Sequence, residues 1–300
     1  MLLLVSVGDL VLDTAVQLLA DEIDAGSDTP AQITQVRGGS AANVVAVSRR
    51  LGRPARFVGA LGSDVAGRWL VEQLVELGAE VAGPTVERGP SIVVLIDHAG
   101  QRRFLTDRGS TERWQPDAGA WLAGADRLHL TGYALCNELA IDACRELARV
   151  ATERAIPISV DPSSTSILQG FGPDRFLALL EEIRPDVLLP NADEARALGD
   201  SGALAERVGA MVVVTDGSAP TTLVSPDGAV RRIAVERTVL PVDTTGAGDA
   251  FAAGFLQRWD RGAGTDAPLD RAIPAVATGH DAARRVIGAV GGDAWEAPGP

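Results

Sequence analysis

Between residues 127 and 217, short apolar runs and amphipathic segments take turns without interruption. "RLHLTG", "PISVDP", "DVLLPN" and "MVVVTDG" are strand-length and largely apolar, and "ELAIDACRELARVATER", "FLALLEEI" and "ADEARALG" lie between them with helical spacing. Strands that are apolar on both sides are buried on both faces, and strands joined by helices run parallel. The rhythm therefore calls for an α/β fold, a mostly parallel sheet covered by helices on both faces. Residues 2–8 and "ARFVGALG" read as further strands. "AANVVAVSRRLG" sets Ala42, Val45, Ala46 and Leu51 along one side of a helix, and "GRWLVEQLVELGA" is a second amphipathic helix closed by Gly78. Two more helices are predicted near 248–260 and 270–287.

Two segments break the rhythm, at about 13–37 and 85–110. The first contains the strand "ITQVR"; the second, "SIVVLIDHAGQRRFLTD", reads as a hairpin turning over 98–101. They predict a small β-element standing off the main sheet as a lid. "TTLVSPDGAVRRIAV" is another hairpin, with Asp227 and Gly228 at its turn. No internal repeat or proline-rich linker divides the chain, so residues 1–300 read as one domain with lid segments inserted.

Composition excludes several kinds of chemistry. All 27 basic residues are arginines. A P-loop, a protein kinase and a pyridoxal-phosphate enzyme each depend on a lysine, so none of the three fits. The three histidines, at 98, 129 and 280, have no H-E-x-x-H spacing, which argues against a catalytic zinc. A net charge of −13 argues against a nucleic-acid partner. No apolar run has transmembrane length, and the N-terminus lacks the basic region of a signal peptide. Two cysteines, Cys136 and Cys144, make no disulfide framework, and a reducing cytoplasm is expected.

The most informative stretch is "DTTGAGDAFAAGF", residues 243–255. Phe251, Phe255 and Trp259 recur every four residues and mark the core face of a helix that begins near Gly246 to Gly248. The first N–H groups of a helix lack intrahelical partners, and its dipole is positive there. Two glycines let a ligand approach the backbone, making an anion cradle without lysine. Asp249 falls in the first turn, facing any phosphate held there. A carboxylate so placed can take the proton of an alcohol that attacks a phosphoryl group. The stretch read alone serves equally as a tight helix entry with an acid in its first turn.

This stretch resembles the C-terminal signature of the ribokinase-like, or PfkB, family of carbohydrate kinases. "RGGSAANVVAVSRRLG" followed by "FVGALGSDVAG" is similar to that family's N-terminal signature, and "GDLVLD" and "NADE" fit too. The resemblance spans nearly the whole chain. It implies a three-layer α/β/α fold with a mostly parallel central sheet and a small β lid. It implies Asp249 as catalytic base and Gly246, Ala247 and Gly248 as the anion hole. Asp243 and Thr245 match positions that bind a monovalent cation, usually potassium. Asp13, Gly38, Gly39 and Asn43 match sugar-binding positions, and Ser40 stands where ribokinases proper often carry lysine. Asn191 and Glu194 match an element that acts near the ATP phosphates and Mg²⁺ through water; the same N-x-x-E spacing also makes a helix capping box. Thr215 and Gly217 match a nucleotide-side segment, where Pro220 interrupts the usual pattern, and His280 falls on the helix flanking adenine.

The acceptor is less defined. If "GQRRFLTDRGS" is a regular strand, Arg102, Phe104, Thr106 and Arg108 share a face, and Arg108 could meet a carboxylate or a cluster of hydroxyls. Similar runs occur in 2-keto-3-deoxygluconate kinases and fructokinases, although "DPSSTS" at 161–166 lacks the asparagine and arginine often found in the former. A ribose, fructose or 2-keto-3-deoxygluconate type of acceptor is expected. A nucleoside kinase needs an aromatic platform, for which Trp114 and Trp121 are the candidates. A non-catalytic binding paralogue and a nicotinamide-dependent oxidoreductase are the rival classes; the latter lacks an early glycine-rich βα turn. A homodimer joined through the lid is expected, since pairing would hide the lid's sheet edge.

Overall fold

The computed structural model describes residues 3–20, 22–98, 101–110, 112–236, 244–260, 268–288 and 295. Its main sheet has nine strands. In spatial order they are Val230–Ile233, Ala219–Val224, Met211–Asp216, Val187–Leu188, Ile158–Asp161, Ala125–Thr131, Leu3–Val7, Ala55–Val58 and Glu80–Ala82. From Met211–Asp216 to Glu80–Ala82 every neighbouring pair is parallel. The two strands added at the other edge are antiparallel, the outer pair turning through Gly228 at φ 83°. Alternate residues of Leu3–Val7 point to opposite faces and feed separate cores. Val5 and Val7 pack with Leu128, Leu147 and Phe176 on one side, while Leu4 packs with Val44, Phe57 and Phe251 on the other. The sheet is thus buried on both faces, with helices forming the outer layers. Among the described residues no helix is long and apolar enough to cross a membrane.

A second, four-stranded sheet stands beside the first, in the order Ala31–Gly38, Val11–Leu18, Ser91–Ile96, Arg102–Asp107. Its two hairpins are joined by a parallel pairing, with Asp13 opposite Ile92. Most of its residues are half-buried or exposed. Arg108 lies one residue past the end of Arg102–Asp107, so the alternation that would align it with Arg102 and Phe104 stops before reaching it. Gly217, at φ 53°, lies in the turn between Met211–Asp216 and Ala219–Val224, and Pro220 is inside the second of these strands.

Helix Ala247–Arg258 packs along helix Pro268–Ile287 at glycine contacts. A Cβ on Gly254 would lie 2.5 Å from the Thr278 carbonyl oxygen, and one on Gly279 would lie 2.7 Å from the Phe251 ring. The i, i+4 face read from sequence is a ring stack, with Phe251 and Phe255 centroids 6.0 Å apart and Phe255 and Trp259 centroids 6.2 Å apart. The helix C-terminus is tied down by Arg53, whose Nη1 donates to the Leu256 carbonyl at 2.7 Å and whose Nη2 meets Asp126 at 2.5 Å. Because backbone blocks the site of the missing Cβ, Gly254→Val is expected to cost ~2 kcal/mol of stability. Gly170→Ala, in open space on helix Thr165–Phe171, should be neutral or slightly stabilising. Urea unfolding of the two variants checks the contrast.

Candidate active site

The tip of helix Ala247–Arg258 is built from its own backbone. Gly246 is its N-cap at φ 76°, a left-handed conformation that suits glycine, and no side-chain hydrogen bond caps it. The Ala247 N–H closes a turn onto the Thr244 carbonyl at 3.2 Å, and the Ala250 N–H begins the helical ladder by donating to Gly246 O at 2.9 Å. Between them, the N–H groups of Gly248 and Asp249 have no carbonyl four residues back within the helix. Gly248 is exposed and a Cβ on it would meet nothing within 4 Å, so the tip opens to solvent. Thr244 and Thr245 are exposed beside it, while Asp243 lies outside the described residues.

Asp249 is only partly exposed, and both its carboxylate oxygens are taken by donors from helix Ser40–Arg50. Ser40 Oγ donates to Oδ1 at 2.7 Å and Asn43 Nδ2 donates to Oδ2 at 2.9 Å. Asn43 in turn accepts from Arg37 Nη1 at 3.2 Å. The glycine pair lets this assembly close. A Cβ on Gly39, at φ 100°, would stand 2.3 Å from the Asp9 carbonyl oxygen, and one on Gly38 would stand 2.1 Å from Asp13 Oδ2. Asp9 fixes the start of the same helix, accepting the Ser40 N–H at 3.0 Å. Asp13, Gly38, Gly39, Ser40, Asn43 and Asp249 are therefore brought together, with Asn43 bonded to Asp249.

The site collects negative charge away from water. Burial pushes Asp249 up to about 6, against the hydrogen bonds of Ser40 and Asn43; Asp9 raises it further and Arg37 lowers it. Asp13 is also pushed up to about 6, by burial and then by Asp9, with Arg37 opposing. Asp161 is raised by burial and by the charges of Glu194 and Asp249, and Glu194 is raised chiefly by burial. Tyr133 is pushed up to about 12 by burial, with Asp9 and Asp249 adding to the effect. Arg108 is exposed, and its charge opposes the rise of both Asp9 and Tyr133.

On the other side, Asn191 and Glu194 make a complete capping box at the start of helix Ala192–Leu198. Asn191 Nδ2 also donates to Glu194 Oε1 at 2.7 Å, so Glu194 has a donor on each oxygen. Thr215 forms a β-bridge with Asn191, which sets the nucleotide-side candidates next to one another. His280 lies farther along: its Nε2 meets Thr221 Oγ1 at 2.8 Å and its ring tilts against Phe251 at 5.6 Å. Trp114 and Trp121, the candidate base platforms, are 6% and 7% exposed inside the core and offer no free face. Both cysteine thiols are pushed up to about 12 by burial and are poor nucleophiles.

Motif reading alone misses Asp9, Arg37, Tyr133 and Asp161. Asp9, Tyr133 and Asp161 each stand at or just beyond the C-terminal end of a parallel strand, the edge where open α/β sheets form their crevices. Polar residues at the ends of buried strands were the available signal. Arg37 precedes the glycine pair, and nothing in its spacing marks it.

A profile of the pfkB family of carbohydrate kinases matches residues 1–295. The chain is 32% identical to an ATP-dependent ribose-1-phosphate kinase from Halopiger xanaduensis over 249 residues, covering 80% of this chain and 77% of the relative. It is 27% identical to a fructokinase from Vibrio alginolyticus, covering 78% of this chain and 80% of that one. The fold matches adenosine kinase from Sinorhizobium meliloti with a TM-score of 0.80 at 23% identity, covering 97% and 95% of the two chains. It matches ribokinase from Thermotoga maritima with a TM-score of 0.76 at 24% identity, covering 98% and 95%. The chain's fold is ribokinase-like, the lysine-free helix tip agrees with that kinship, and the protein belongs to the pfkB family as an ATP-dependent carbohydrate kinase.

Proposed function

We propose that Asp249 is the general base that accepts a proton from a primary hydroxyl of a small sugar or sugar acid as that hydroxyl attacks the γ-phosphorus of ATP. The observation that carries this reading is the placement of a half-buried carboxylate in the first turn of an uncapped helix, with both oxygens aimed by a helix that starts at a glycine pair. Gly246, Ala247 and Gly248 form the anion hole. The Gly248 N–H faces the phosphoryl group, while the Ala247 N–H holds the turn through Thr244. Asp13, Gly38, Gly39, Ser40 and Asn43 contact the sugar, with Ser40 and Asn43 keeping their bonds to Asp249. Arg108, whose charge acts on Asp9, meets an anionic or hydroxyl-rich end of the acceptor.

Asn191, Glu194, Thr215, Gly217 and His280 serve the nucleotide side. The raised carboxyls of Asp161 and Glu194 fit a bound cation, which would relieve their repulsion, and Glu194, with both oxygens bonded by Asn191, would hold it through water. Mg²⁺ held by these residues would neutralise charge on the ATP phosphates. Thr245, with Asp243, belongs to a K⁺ site that tunes the helix tip. The ribose, fructose and 2-keto-3-deoxygluconate types stay ahead of a nucleoside, since both candidate tryptophan platforms are core residues and the relatives quoted include a ribose-1-phosphate kinase and a fructokinase.

The reading includes a cytoplasmic homodimer joined through the small sheet. On the face opposite Asp13, Ile33, Val16 and Leu95 fall in one row and Val93 and Leu105 in the next. Ile33 is 64% exposed and Leu105 57%, an apolar face that a second copy would cover. Ile33→Glu is expected to convert the dimer to a monomer in sedimentation velocity. A monomeric wild type would remove this part of the reading.

ADP release with Mg²⁺, K⁺ and a panel of ribose, ribose 1-phosphate, fructose, 2-keto-3-deoxygluconate and adenosine tests the reaction and its acceptor. Asp249→Asn should lower kcat by about 10²–10⁴-fold. With Asp249 titrating at about 6, kcat/KM should fall as pH drops below that value. Stability should move the opposite way. The folded protein holds this proton more tightly than the unfolded chain, so the contribution is favourable at low pH and is lost as pH rises from 3.8 to about 6. Asp249→Asn removes the charge; its amide oxygen can accept from Asn43 while its NH₂ donates to Ser40 Oγ, which reverses that bond. It should be more stable than wild type by ~1–3 kcal/mol near neutral pH, with the gap closing in acid, as measured by urea unfolding across pH.

A further inference from the structure

We infer that Arg37 is a positioning residue for phosphoryl transfer: its guanidinium locks the Asn43 amide so that the NH₂ group faces Asp249 and aims the base at the acceptor. The inference rests on the reading of Asp249 as that base. Arg37 is the next-to-last residue of strand Ala31–Gly38, directly before the glycine pair, and is 4% exposed. A guanidinium so deeply buried is costly unless its donors are used. One of them, Nη1, meets Asn43 Oδ1 at 3.2 Å.

The chemistry of the three groups fixes the rest. A guanidinium only donates and a carboxylate only accepts, whereas a primary amide does both from opposite ends. With Arg37 on one side and Asp249 on the other, one orientation of the Asn43 amide satisfies both bonds, and turning it over breaks both. Oδ1 must face Arg37, which leaves Nδ2 on Asp249 Oδ2 at 2.9 Å. Charge-assisted bonds at each end make this chain stiffer than a neutral one. Ser40 holds the other carboxylate oxygen, so the two donors together set the plane of the carboxylate.

The charge of Arg37 acts beyond its bond. Asp9, Tyr133, Asp161 and Glu194, all neutral or negative, interact with Asp249, and Arg37 lowers its pKa. Asp13 feels Arg37 in the same direction, against Asp9. Arg37 therefore adds to the Ser40 and Asn43 hydrogen bonds in favouring the ionised base, against burial and Asp9.

The test compares Arg37→Met, Arg37→Gln and Arg37→Lys with wild type. The first readout needs no acceptor: the ¹³C NMR titration of the Asp249 carboxyl, assigned by its loss in Asp249→Asn. In Arg37→Met and Arg37→Gln the midpoint should move to higher pH, and in Arg37→Lys it should stay near the wild-type value. The second is turnover of ribose 1-phosphate and fructose. For Arg37→Met, kcat should fall about tenfold, the acid limb of kcat/KM should shift up, and KM for ATP should change less than about twofold. Unshifted titration in Arg37→Gln, or a loss of kcat and stability with the acid limb in place, overturns the inference. If Arg37→Met does not fold, the Gln and Lys variants decide, and identical midpoints in those two overturn it. The outcomes separate from those of the underlying reading. Asp249→Asn that still transfers phosphate removes the base assignment, whereas a dead Asp249→Asn alongside wild-type behaviour of the Arg37 variants removes Arg37 alone.

Discussion

A carboxylate in the first turn of a helix is tethered by its backbone, but where its oxygens point depends on what donates to them. Here the donors, Ser40 and Asn43, lie 209 and 206 residues earlier in the chain. Much of the architecture serves that meeting. Helices Ser40–Arg50 and Ala247–Arg258 share one core on one face of the sheet, where Val44, Val45 and Val47 pack with Phe251, Phe255 and Leu256. Arg53, just beyond the first helix, grips the C-terminus of the second. The two helix starts are thus held together by apolar packing along their length and by hydrogen bonds at the ends.

The sheet gathers the remaining groups. Asp9 follows Leu3–Val7, Tyr133 follows Ala125–Thr131, Asp161 ends Ile158–Asp161 and Asn191 follows Val187–Leu188. Parallel strands end on the same side, so residues far apart in sequence line one edge. Their shared cost is electrostatic: several carboxyls withdrawn from water raise one another's proton affinity. Clusters of carboxyls perturbed in this way mark functional edges of a fold more often than structural ones.

The α/β alternation was legible because buried parallel strands carry a two-sided apolar pattern that few other elements share, and strands at 158–161 and 211–216 appear where "PISVDP" and "MVVVTDG" predict them. The helix start at Gly246, with Asp249 in its first turn, was legible because the apolar period of Phe251, Phe255 and Trp259 begins just after two glycines. The strand period predicted Arg108 on a face with Arg102 and Phe104, and strand Arg102–Asp107 stops just before it. Arg37 and Asp9 were not legible. Their importance lies in contacts to Asn43 and Ser40, and no local period encodes a bond across the fold. The tryptophans misled because an aromatic in a loop-like stretch can turn inward; Trp114 and Trp121 do so. Asn191 and Glu194 fit two explanations at once, and the capping geometry is compatible with both.

The glycine contacts between Ala247–Arg258 and Pro268–Ile287 have a mechanical consequence. Backbones that touch at Gly254 and Gly279 leave no slack for one helix to slide along the other. The phosphate end of the site is therefore an anvil. The four-stranded sheet, with most of its residues only partly covered, is the compliant part. Any tightening of the crevice has to come from that side, so under the proposed function the choice of sugar and the handling of phosphate rest on pieces of different stiffness, and the first can drift while the second stays fixed.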